Sequence, residues 1–160
     1  MQTNSDTPKK LYVGLDVHKE KTVPALLGPG RNDEPEAFRV FQTTQHGLEK
    51  AMRAICKAKG LKQTELHVCY EANGCGFWIA RRLGQMRITC DVIAPSLIPT
   101  QSGDRIKTDK RDAAKLARCL RANTLVPVHV PDSTDEAIRD LCRARTDAMD
   151  DLRRAKTRFL

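Results

Sequence analysis

No run of residues in this sequence approaches the ~20 consecutive apolar positions that a membrane-spanning helix needs, and the start, MQTNSDTPKK, lacks the apolar segment of a secretory signal. A bilayer span is therefore not expected, and the chain reads as cytoplasmic. Aromatic residues are scarce too, with one Trp, two Tyr and four Phe, so a core must be largely aliphatic. The six cysteines (Cys56, Cys69, Cys75, Cys90, Cys119 and Cys142) show no CxxC or other zinc spacing. They read as thiols kept by a reducing compartment, several at apolar positions of predicted strands or helices, where Cys acts as a small hydrophobe.

What is present is positive charge. The 160 residues carry 28 Lys+Arg against 20 Asp+Glu, a formal net charge of +8, in a length that fits one domain with a short appendage. The excess falls in three clusters. Residues 103–121 hold seven bases against Asp104, Asp109 and Asp112, residues 139–158 hold seven against four acids, and residues 46–62 hold five against Glu49. One such cluster is as well explained by a solvated helix face, but three together favour a polyanionic partner.

Residues 1–10 read as a disordered N-terminus, followed by a core domain over 11–132 and a long helix over 133–160 that begins a coiled-coil or linker region. LYVGLDV at 11–17 alternates as a strand. Apolar runs at 22–27 and 37–41 add two more, which predicts an antiparallel meander of three strands. Leu48, Ala51, Met52 and Ile55 then recur at helical spacing up to Gly60. A strand at 66–72, a helix at 77–83 and a strand at 88–94 make a βαβ unit with a parallel pair. Residues 95–108 form a loop, residues 109–122 a helix, and 124–131, with its prolines, an edge or crossing strand. In the last helix Ile138, Leu141, Arg145, Ala148, Leu152, Ala155 and Phe159 form a heptad seam with no stop signal, so the chain is expected to end inside a longer pattern.

Four carboxylates stand apart. Asp16 interrupts an apolar strand, where an unpaired charge would be costly to bury. Glu71 ends a predicted parallel strand, at the edge where ligand crevices form. Asp109 and Asp112 share a helix face with Ala113, Leu116, Ala117 and Leu120, while Lys110, Arg111 and Lys115 flank it. Such hard-oxygen ligands are what Mg²⁺ takes, and metal-held carboxylates serve phosphoryl displacement. Structural readings compete: Asp109 as a helix N-cap, Asp112 answering the helix dipole, Glu71 as a solvated strand end. His18 and Lys19 read first as solvent-facing turn residues and second as phosphate contacts. Cys75 lacks an evident base and is not read as a nucleophile.

YVGLDVHK (12–19), YEANGCGFW (70–78), KTDKRDAAKLAR (107–118) and VPVHVPD (126–132) resemble, in this order, the DEDD-type insertion-sequence transposases related to the Piv DNA invertase, whose N-terminal domain is similar to the RuvC resolvase. The resemblance implies an α/β, RNase H-like fold, with three antiparallel strands followed by parallel ones, flanking helices and a long C-terminal helix. It places the family's acidic tetrad on Asp16, Glu71, Asp109 and Asp112, binding Mg²⁺ or Mn²⁺. It implies DNA as partner, contacted through Lys19, Arg105, Lys107, Lys110, Arg111 and Lys115. It further implies a guide RNA, a homodimer or tetramer formed through the helical region, and a following domain with a catalytic serine, before which this chain is expected to be truncated. A non-catalytic nucleic-acid-binding and oligomerisation module, or a stand-alone RuvC-like nuclease, is the alternative. An actin-like ATPase is disfavoured, because VHKEKT after Asp16 is not a Gly- and Thr-rich phosphate turn.

Overall fold

The computed structural model describes residues 10–72, 75–98 and 108–158. Strand β1 (Leu11–Val17) lies at the centre of a mixed sheet. On one side it pairs antiparallel with β2 (Lys21–Leu27) through the turn at residues 18–20. On the other it pairs parallel with β5 (Leu66–Glu71), which pairs parallel with β6 (Thr89–Ile93). Two short strands, β3 (Glu36–Ala37) and β4 (Phe41–Gln42), both pair antiparallel with β2, giving the order β3-β2-β1-β5-β6. The expected α/β arrangement of an antiparallel meander followed by parallel strands is the one observed.

The single strand expected over 37–41 is instead broken. Between the pairs Thr22–Phe41 and Ala25–Ala37, two residues of β2, Val23 and Pro24, face three of the outer segment, Phe38, Arg39 and Val40. The cause lies in Pro24. Its carbonyl accepts from the Phe38 N–H at 3.1 Å, so its nitrogen faces the same outer side and has no hydrogen to return. The ladder skips a residue there, as in a β-bulge.

The two faces of the sheet are covered by different helices. On the face shared by Tyr12, Gly14 and Asp16, α3 (Asp109–Arg121) packs through Ala113, Leu116, Ala117 and Leu120, all buried. The approach is close enough that a Cβ on Gly14 would lie 2.2 Å from the Ala113 carbonyl oxygen. The other face buries Val13, Leu15, Val68 and Tyr70. Tyr70 donates its hydroxyl proton to the Gly76 carbonyl at 3.0 Å, just ahead of α2 (Trp78–Gln85). Removing that hydroxyl as Tyr70→Phe is expected to cost ~1 kcal/mol in urea unfolding, since the Gly76 carbonyl loses a partner while the ring packing is kept. Helix α1 (Gln45–Lys59) is tied to α2 by Glu49 and Arg82, whose Nε lies 2.9 Å from Glu49 Oε1. It buries Leu48, Ala51, Met52 and Ile55, starts at the Thr44 N-cap and stops at Gly60, which adopts the left-handed conformation (φ 63°).

Residues 124–131 form only one bridge, Ile93 to Pro127, because prolines at 127 and 131 limit pairing. The chain divides into two units, 1–128 and 129–160. The second is dominated by α4 (Ser133–Arg158), capped by Asp132, which accepts from the Thr134 and Asp135 N–H groups at 2.8 Å. Ile138, Leu141, Met149 and Leu152 on this helix are exposed. No helix among the described residues is long and apolar enough to cross a membrane. All six cysteines carry thiols rather than disulfides.

Candidate active site

Alternation along β1 sets Asp16 on the α3 face, two residues beyond Gly14, where the close packing of helix on strand brings it to the N-terminal end of α3. The helix starts one residue earlier than an Asp109 cap would require. Thr108 is the N-cap, its hydroxyl accepting from the Arg111 N–H, which leaves Asp109 in the first turn rather than at the cap position.

Across the β1–β2 turn, His18 and Lys21 stand opposite each other, the His18 N–H donating to the Lys21 carbonyl at 2.9 Å. The turn is anchored from outside. Thr43 donates its hydroxyl proton to the His18 carbonyl at 2.8 Å, so the 2.8 Å contact between the Thr22 and Thr43 hydroxyls must have buried Thr22 as donor. So held, His18 Nε2 lies 3.0 Å from Asp16 Oδ2 and 3.6 Å from Asp109 Oδ2, and Lys21 Nζ donates to Asp109 Oδ2 at 2.6 Å. One donor atom from each of Asp16, His18 and Asp109 falls within 4.8 Å of the others, near enough to share a cation.

The electrostatics of the two carboxylates differ. Asp16 has its carboxyl pushed above the usual range, first by burial, against the pull of His18, and further by the negative charges of Asp109 and Asp112. Asp109 is held below that range, chiefly by the Lys21 hydrogen bond. Lys21 is raised in return by the same bond. The arrangement is an acidic pair with one member partly desolvated and a single ammonium on the other, and a divalent cation would offset both the burial of the Asp16 charge and the lesser repulsion from Asp109 and Asp112.

Of the four expected carboxylates, the structure brings Asp16 and Asp109 together. Asp112 lies one helical turn further along the same face, within electrostatic reach of Asp16. Glu71 ends β5 immediately after Tyr70, the register partner of Leu15, and alternates with Cys69, whose thiol reaches the Leu116 carbonyl of α3. Among the described residues, neither Glu71 nor Asp112 joins the group close enough to share one ion. His18 corrects the sequence reading. It is exposed in the turn, as expected, but its ring is bonded into the acidic pair rather than left to solvent. Lys21 is not among the residues that the sequence pattern points to. Strand alternation counted from Asp16 through the turn would have found both, because Asp16 and His18 are two apart and Lys21 is the residue opposite His18.

The expected nucleic-acid contacts divide similarly. Lys19 is exposed at the tip of the turn, Lys110 and Arg111 are exposed on the first turn of α3, and Lys115 is half-buried. Arg105 and Lys107 lie outside the described residues, as do Asn73 and Gly74.

A family model described as Transposase, of the IS110 DEDD type, matches residues 13–160. A putative transposase, y4qE, of Sinorhizobium fredii is 41% identical over 145 residues, 91% of this chain and 36% of that protein. The transposase for insertion sequence element IS1533 of Leptospira borgpetersenii is 39% identical over 153 residues, 95% of this chain and 43% of that protein. The chain thus spans less than half the length of these curated relatives. Among solved structures, Thermus thermophilus RuvC, in complex with a Holliday junction substrate, superposes with a TM-score of 0.46 at 9% identity over 74% of this chain and 99% of that one.

Proposed function

The chain belongs to the IS110-type DEDD transposase family, and on that premise we propose that it is the N-terminal catalytic domain of a transposase that mobilises an insertion sequence by metal-dependent DNA strand cleavage and exchange. The observation that carries this reading is the meeting of Asp16, His18 and Asp109 where β1, its turn and α3 converge. Carboxylate oxygens suit Mg²⁺ or Mn²⁺, and an imidazole nitrogen is better tolerated by Mn²⁺. Asp16 and Asp109 would hold the ion, with Glu71 and Asp112 completing the acidic set from the same face. An ion held there would supply Lewis acidity toward a phosphodiester oxygen and an attacking water.

The chain's own residues do the rest. His18 orients the Asp16 carboxylate, and Lys21 keeps Asp109 ionised. Lys19, Lys110, Arg111 and Lys115 supply phosphate affinity around an acidic centre that would otherwise repel DNA, and Arg105 and Lys107 add to the chain's positive charge. In this reading the kinship extends to the Piv invertase, and strand exchange is guided by a structured RNA. The protein acts as a dimer or tetramer through α4, whose Ile138, Leu141 and Leu152 are exposed. A further domain contributes a catalytic serine.

The direct test is metal binding. At a Mn²⁺ concentration 100 times Kd the wild-type protein is expected to gain about 2.7 kcal/mol, roughly 10 °C in Tm for a domain of this size. Asp109→Ala should lose that gain. An equal metal-induced shift in both proteins would sink the assignment.

A further inference from the structure

The basic cluster of residues 46–62 takes no part in the acidic site, and in the fold its Lys50 borders a groove. Where the outer strand is offset at Pro24, Phe38, Arg39 and Val40 stand against the start of α1. With Phe41, His46 and Lys50 they line a groove of about 390 Å³. Its lining combines apolar side chains, Phe38, Val40 and Phe41, with the bases Arg39 and Lys50, and no carboxylate lines it among the described residues. Glu49, the one acid of the cluster, is turned away to Arg82 and Arg53. The first turn of α1 holds no acid either, so the positive end of its dipole adds to the same field. Val40 is 52% exposed, which leaves this part of the apolar lining open to a ligand.

We infer that this groove binds a single strand of DNA, an inference that rests on DNA being the partner of this domain. Bases would lie against Phe38, Val40 and Phe41, and phosphates would meet Arg39 and Lys50. The volume falls in the ~300–1,000 Å³ range of small-ligand sites, which suits a base with its sugar rather than a duplex. Aromatic and aliphatic side chains interleaved with bases are the sequence-tolerant chemistry of single-strand recognition. The offset at Pro24 is what creates the groove, because a continuous outer strand would hold Arg39 and Val40 in the ladder.

Fluorescence anisotropy of a labelled dT oligonucleotide of about 20 nucleotides, with the whole chain in EDTA, tests this without any contribution from metal. R39Q/K50Q and, separately, Val40→Asp are expected to weaken binding ~10-fold or more. R39Q/K50Q should also reduce the slope of log K against log salt by about 1.4. All three side chains are exposed, so the variants should keep the wild-type Tm and its Mn²⁺ response. R31Q/R87Q, the same charge change at exposed positions outside the three basic clusters and the groove, should bind within about twofold of wild type. Wild-type affinity in the groove variants would overturn the inference, as would equal weakening by R31Q/R87Q or an equal loss with duplex DNA. Groove-dependent binding by a protein with no metal response would support the groove and count against the acidic-site reading instead.

Discussion

Adding one methyl group at Gly14 is expected to unfold the domain or drive α3 off the sheet, at a cost of ~4 kcal/mol or more. The Cβ of Gly14→Ala would lie 2.2 Å from the Ala113 carbonyl oxygen and 2.6 Å from the Ala117 nitrogen. Both are helix backbone atoms, which cannot step aside as a side-chain end can. Against a total stability of roughly 5–15 kcal/mol, such a loss is a large share. It also reaches the site, because the α3 backbone that would have to retreat carries Asp109 and Asp112. Urea unfolding should show the loss, and any variant that folds should have lost its Mn²⁺-induced rise in Tm. Gly84→Ala is the control: nothing lies within 4 Å of its Cβ position in α2, and it should stabilise by up to about 1 kcal/mol through helix propensity. Wild-type stability and metal response in Gly14→Ala would show that the helix and strand are not in such close contact.

Asp16→Asn should act in opposite directions on stability and on chemistry. Burial, and beyond it the charges of Asp109 and Asp112, outweigh His18 and hold the Asp16 proton more tightly in the folded than in the unfolded chain. The stability this group contributes is therefore fully present below the ordinary carboxylate pKa and is lost as pH rises through the raised folded value. At pH 7 without metal the ionised side chain weighs against the fold, and the amide removes that cost. Asp109 has the other sign, its contribution present above the ordinary range and lost as pH falls through its lowered value. In EDTA, urea midpoints of Asp16→Asn should exceed those of wild type by a margin that widens from about pH 4 to pH 7. On the proposed function, metal-dependent DNA cleavage should fall ~1,000-fold or more in this variant, the equivalent of about 4 kcal/mol. A metal-free Asn variant less stable than wild type at pH 7 would contradict the electrostatic account, and undiminished cleavage would remove Asp16 from the chemistry.

Much of this arrangement can be read from local pattern. A lone aspartate in an alternating apolar strand, a carboxylate at the end of a second strand, and Ala113, Leu116, Ala117 and Leu120 in one stripe with Asp109 and Asp112 locate the helix against the sheet from sequence alone. The misreadings share a physical origin, in that each depends on a partner outside the local segment. Pro24 breaks a strand more than ten residues later by withholding a hydrogen from it. The one choice left open locally, Asp109 as cap or as first-turn residue, is decided at the neighbouring Thr108, whose extended backbone and hydroxyl take the cap of the helix expected from 109. His18 joins the acidic pair because Thr43 fixes the carbonyl of its turn, and Lys21 reaches Asp109 across 88 positions of sequence.

The skipped residue beside Pro24 also bears on how this protein behaves when crowded against copies of itself. A sheet ending in a long, regular strand invites another chain to add on. Here the outer positions are two fragments of two residues each, out of step with one another, with Arg39 projecting between them and Glu36 ion-paired to Lys59. At the far side of the sheet, the Val92 carbonyl of β6 is already taken by the Val128 N–H, and Asp91 adds a charge. Growth by edge-to-edge pairing is obstructed at both ends, so self-association through the sheet is disfavoured even at high concentration.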